Sequence, residues 1–168
     1  MSKRYIYPFV PKSTANLLPG QFWALPLSNG LFGCGRVIQL APSSYFFLLG
    51  ARVSFLAGVL DWVSPLQPTS ESISGAKCIA QGQAHIKAIT ETGGEILGHR
   101  NLEFDEIVPW LFRGASYWKN SFVQEGLVCI RPQVPQDEEL KLASLFIKLA
   151  WYHNLIKIAE ERFVPNNA

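Results

Sequence analysis

The chain has 168 residues, 48% of them hydrophobic and 17% charged, with a formal net charge of +2. This excludes a disordered chain, which would be polar and charge-rich, and it leaves room for one domain with a proper core but not for two large ones. The near balance of 15 basic and 13 acidic side chains provides no basic footprint of the kind that binds DNA or RNA.

Residues 1–19 read as an arm with three prolines and little periodicity. Pro8 and Pro11 interrupt its apolar run, so it does not resemble the core of a signal peptide. Phe22 to Leu27 is strand-like. Asn29-Gly30 then predicts a two-residue type I′ turn, and Leu31 to Leu40 supplies the return strand. In that register Leu27 faces Phe32, Leu25 faces Cys34 and Trp23 faces Arg36 on one side of the hairpin. Pro26 with Gly33, Ala24 with Gly35 and Phe22 with Val37 form the other. Trp23 and Arg36 would meet as a cation–π pair at the sheet rim. Two glycines two apart permit a sharp bend or the close approach of another backbone.

Tyr45 to Leu49 is the expected third strand, and Val53 to Trp62 fits strand and helix equally. The stretch Tyr45 to Val63 is long and apolar, but Arg52 and Asp61 argue against a membrane span, because charge within a bilayer is costly. Residues 64–75 hold two Pro, four Ser, one Thr and one Gly, the composition of a loop. A second hairpin is expected from Gln83–Glu91 and Glu95–Asn101, turning at Gly93-Gly94. Val128 to Arg131 reads as a last strand. Gln136 to Phe163 predicts a long helix, with Asp137, Glu138 and Glu139 in its first turn. Its polar side moves from Lys141, Ser144 and Lys148 to Asn154, Lys157 and Glu161, nearly opposite. It therefore either breaks near Trp151–Asn154 or buries two faces, the second against another copy of the chain.

The expected fold is α+β, with a mostly antiparallel, strongly bent β-sheet or SH3-like partial barrel and a long C-terminal helix. It forms a single domain over 1–168: an arm at 1–19, a β-rich core at 20–131 and the helix at 136–163.

No catalytic constellation emerges. There is no phosphate loop, dinucleotide glycine pattern or nucleophile elbow. His85, His99 and His153 do not converge in the predicted register, and Cys34, Cys78 and Cys129 lack zinc spacing. No metal, cofactor or enzymatic activity is therefore expected. The scattered cysteines read as small buried hydrophobes in a reducing, cytoplasmic compartment. One cluster stands out: Glu103, Asp105 and Glu106 precede Trp110, Phe112, Tyr117 and Trp118. It reads either as a solvated loop edge or as a surface that captures a basic protein, where aromatics anchor and charge steers. The residues taken as partner-binding are Glu103, Asp105, Glu106, Trp110 and Trp118.

The segment Gly20 to Val37 resembles the opening motif of the immunity protein 26 family of bacterial polymorphic toxin systems. Gly20, Pro26, Leu27, Gly30, Phe32, Gly33, Gly35, Arg36 and Val37 match it, and Gln21 stands where Asp is usual. The resemblance implies a mostly-β protein that neutralises a cognate toxin made by the same cell, through stoichiometric binding. It implies that Gly20, Pro26, Gly30, Gly33, Gly35 and Arg36 determine the fold. The alternative is an SH3-like module that binds RNA or a peptide.

Overall fold

The computed structural model describes residues 4–42, 52–115, 121–132, 149–150 and 154–166. Its first hairpin joins β1 (Gln21–Pro26) to β2 (Phe32–Leu40). The turn differs from the expected type. Leu27 N donates to Leu31 O at 2.9 Å and Gly30 N to Leu27 O at 3.1 Å, which leaves a three-residue loop, Ser28 to Gly30. Only Gly30 takes a positive φ, +81°, whereas a type I′ turn also requires one at Asn29. The Asn29 side chain instead accepts from Leu31 N at 3.1 Å, a local bond that Asn offers in competition with other turns.

The extra loop residue slips the register by one. Trp23 pairs with Gly35, Leu25 with Gly33 and Phe22 with Arg36. A one-residue slip turns side chains to the other face, so Trp23 and Arg36 lie on opposite sides of the sheet and do not form the expected cation–π pair. Trp23 instead covers Gly35, where a Cβ would collide with the indole, and meets Phe55 edge-on at 6.0 Å.

β3 (Ser54–Leu60) and β4 (Cys78–His85) extend the sheet, which resolves Val53–Trp62 as strand. The expected strand at Tyr45–Leu49 falls outside the described residues. The second hairpin is not formed as expected. After β4 the chain enters a short helix, α1 (Lys87–Thr90), and β5 (Gly98–His99) pairs with β1, not with β4. Ile89 and Ala88 are buried by that helical turn, an arrangement that an extended strand through the same residues would not give. β6 (Leu111–Ala115), β7 (Ser121–Glu125) and β8 (Val128–Pro132) form a second, three-stranded sheet.

The expected helix over 136–163 is described only as α2 (Asn154–Phe163). Leu149–Ala150 is instead a short strand, β9, parallel to β4, so the segment is not one continuous helix. Residues 136–148 and 151–153 lie outside the described residues. The larger sheet runs β5-β1-β2-β3-β4-β9, and all its pairings except β4–β9 are antiparallel. The order has two ends, so the sheet is not closed.

Two cores follow from strand alternation. On one face Trp23, Leu25, Val37, Phe55, Ala57 and Val59 pack with Ile89, Ile96, Leu155 and Ala159. Here Gly33 lets α2 sit close, since a Cβ would lie 3.4 Å from that of Ala159. Ser28 Oγ donates to Glu160 at 2.8 Å and Arg162 pairs with Asp61 at 3.1 Å, fixing α2 to the hairpin turn and to the end of β3. The outer side of α2 carries exposed Asn154, Lys157 and Glu161, so this stretch offers no second apolar face to another copy. On the other face Phe22, Cys34, Ile38, Leu56 and Leu60 pack with Ile73, Ile107, Phe112 and Leu127. The 64–75 loop is therefore tied down, with Ile73 in the core and Trp62 Nε1 donating to Ser72 O at 2.9 Å.

Candidate functional site

The slipped register sends Arg36 into the second core, where its side chain is fully buried. An isolated guanidinium there would be prohibitively costly, so it needs an anion and acceptors. Its Nη1 lies 3.4 Å from Asp105 Oδ2, and its Nη2 donates to the Arg100 carbonyl at 2.6 Å. Asp105 ends a 3-10 turn, Leu102–Asp105, whose start is capped by Asn101 Oδ1 accepting from Glu103 N at 3.0 Å. Arg100 grips the same carboxylate with two nitrogens: Nε lies 2.8 Å from Oδ2 and Nη2 lies 3.0 Å from Oδ1. The Gly75 amide adds a bond at 2.8 Å. Lys77 Nζ donates to the Asp105 carbonyl and pairs with Glu106 at 3.2 Å.

Burial alone would push the Asp105 carboxyl up. The bonds from Arg100, the Gly75 amide and Arg36 outweigh it and hold the group below the ordinary carboxylate range. Burial lowers Arg36 and pushes the Cys34 thiol up; the Cys78 thiol is pushed up to about 11. These are locked, ionised structural groups and protonated thiols, with neither a free base nor an activated nucleophile among them.

Above this network the chain turns outward. Within the 3-10 turn Asp105 points in, whereas Phe104 is 72% exposed with the Arg100 guanidinium 5.7 Å from its ring centroid. Glu103 and Glu106 are exposed beside it. Glu106 closes the turn with a left-handed φ of +54°. The chain then crosses the second core. Ile107 is buried, Val108 is 63% exposed and Trp110 is 40% exposed. Gln81 clips this crossing, donating Nε2 to Val108 O and accepting from Trp110 N, each at 2.9 Å. Gly126 N donates to Trp110 O at 2.9 Å, and Gln39 Oε1 accepts from Leu127 N at 2.7 Å, which ties the smaller sheet to the larger. Leu111 pairs with Glu125 and Glu125 with Val128, extending an exposed apolar row with an acid at its centre.

The structure thus brings Glu103, Glu106 and Trp110 to one exposed segment. Asp105 is corrected from surface to interior: it is 1% exposed and its carboxylate is fully engaged. Its neighbours gave no warning, since four residues of a 3-10 turn carry no apolar period. Trp118 lies outside the described residues. Sequence reasoning passed over Phe104 and Val108; the available signal was an apolar residue within an acidic run.

Arg36 proves to be an interior ion partner, not a rim residue. Gly20 (φ +99°) lets the backbone approach Arg100, because a Cβ there would lie 2.6 Å from the Arg100 carbonyl. His99 Nε2 sits 2.9 Å from Pro19 O, while His85 Nδ1 accepts from Lys87 N at 3.0 Å. Among the described residues no group of three or more His, Cys, Asp or Glu side chains is placed to hold a metal, and no described helix is long and apolar enough to cross a membrane.

A family model described as immunity protein 26 matches residues 18–123, more than half of the chain, a span that includes Arg36, Arg100 and the whole 101–111 segment. No curated protein and no solved structure shows significant similarity to the chain.

Proposed function

This chain belongs to the immunity protein 26 family, and we propose that it protects the cytoplasm of a toxin-producing bacterium by binding the cognate toxin in a one-to-one complex. The family match carries this reading. The 101–111 segment supports it: it presents exposed acids at Glu103 and Glu106 and exposed apolar side chains at Val108 and Trp110, on a protein of net charge +2. Such a segment suits a basic protein surface, where aromatics anchor and charge steers the encounter. Neutralisation by occupancy requires no catalytic group. Asp105, Arg36 and Arg100 serve this surface from beneath and do not touch the partner.

Co-expression with the product of the neighbouring upstream gene tests the proposal. Restored growth together with co-purification of the two chains is the expected result. A toxic neighbour that this protein neither binds nor neutralises would overturn it.

A further inference from the structure

Fixing a surface turn with buried ions is an expensive solution. Desolvating Arg36 and Asp105 is costly, and well-packed apolar residues often serve stability as well or better. What the ions add is direction. With Asp105 held by Arg36, Arg100 and Gly75, the turn has one orientation, and Phe104 is forced into solvent. The guanidinium that grips Asp105 also lies against the Phe104 ring, at 5.7 Å from its centroid. The ring is thus partly preorganised before any partner arrives, which reduces the side-chain entropy lost on binding. The carboxylates flanking it face outward. Glu103 makes no ion pair among the described residues, and the Glu106 pair with Lys77 is exposed, hence weak.

We propose that Phe104 is the anchor of the toxin complex. It enters an apolar pocket on the toxin whose rim carries lysine or arginine facing Glu103 and Glu106, and Arg100 is its positioning residue. This rests on the toxin-binding reading above and specifies which residue dominates it.

The test measures binding to the purified product of the neighbouring upstream gene, at low and at physiological salt. Phe104→Ala is expected to weaken affinity by about 30-fold or more, mainly through faster dissociation, with the thermal midpoint unchanged. Glu103→Lys is expected to slow association and flatten its salt dependence. Arg100→Lys keeps a cation beside Asp105 but loses the guanidinium that lies over the ring. Its effect on affinity should largely vanish in the Phe104→Ala background, a coupling that a purely structural role would not produce. Wild-type binding with Phe104→Ala within about threefold of it would overturn the anchor alone. No binding by the wild-type protein would overturn the toxin reading and the anchor with it.

Discussion

The two faces of the larger sheet solve the same burial problem by different means. The face under α2 holds Trp23, Leu25, Phe55 and Leu155, and among the described residues it carries no buried charge. The opposite face sets Arg36 and Asp105 among Phe22, Ile38 and Ile107, with Gln81 and Gln39 reaching across to the smaller sheet. Apolar area is non-directional, so the first face holds its helix down by burial, with the exposed Ser28–Glu160 and Asp61–Arg162 contacts at its margins. Charge-assisted hydrogen bonds are directional, so the second can dictate which residues of a covering segment point inward and which point outward. The candidate binding segment lies on the second face.

Five perturbations sharpen this contrast. Asp105→Ala should have the largest effect, because it strands Arg36 without its anion. A loss of about 3–5 kcal/mol in denaturant unfolding is expected, and a loss below about 1 kcal/mol would show that the network is dispensable. Acid should reach part of the same loss. The Asp105 carboxyl titrates below its unfolded value near 3.9, so its contribution is fully present above that pH and is lost as pH falls through the depressed folded value. Acid titration of stability should therefore be steeper in the wild type than in an Asp105→Asn variant; equal slopes would contradict this.

On the apolar face, Gly35→Ala forces a methyl into the Trp23 indole and should cost about 1–3 kcal/mol. Gly33→Ala, 3.4 Å from the Ala159 Cβ, should cost clearly less, and equal losses would refute the close Trp23–Gly35 packing. Smallest of all, Glu106→Gly relieves a left-handed non-glycine residue but loses the exposed Lys77 pair and loosens the unfolded chain. Its net effect on the thermal midpoint should correspond to within about 0.5 kcal/mol.

Local signals were legible where one element decides the outcome. Short apolar runs beside turn residues identified β1, β2 and β8, and Gly30 marked a turn. The register was not legible, because Asn29 can serve a type I′ turn or, as here, bond its own backbone in a three-residue loop. That single residue decides whether Arg36 faces Trp23 or Asp105, so the buried network was hidden with it. β5 was misassigned because its partner, β1, lies far away in sequence, and α1 formed where alternation suggested strand. Of the site, Glu103, Glu106 and Trp110 could be read from composition. The inward turn of Asp105 depended on contacts across 69 residues of chain.

The most direct test of the account is a stoichiometric titration. The activity of the toxin that the proposal assigns to the neighbouring upstream gene would be measured at fixed concentration with increasing amounts of this protein. Direct binding predicts a linear fall that reaches its floor at one equivalent, with mixing time making no further difference. Progressive loss of toxin activity at a small fraction of one equivalent would reveal turnover and contradict neutralisation by occupancy, as would undiminished activity at several equivalents.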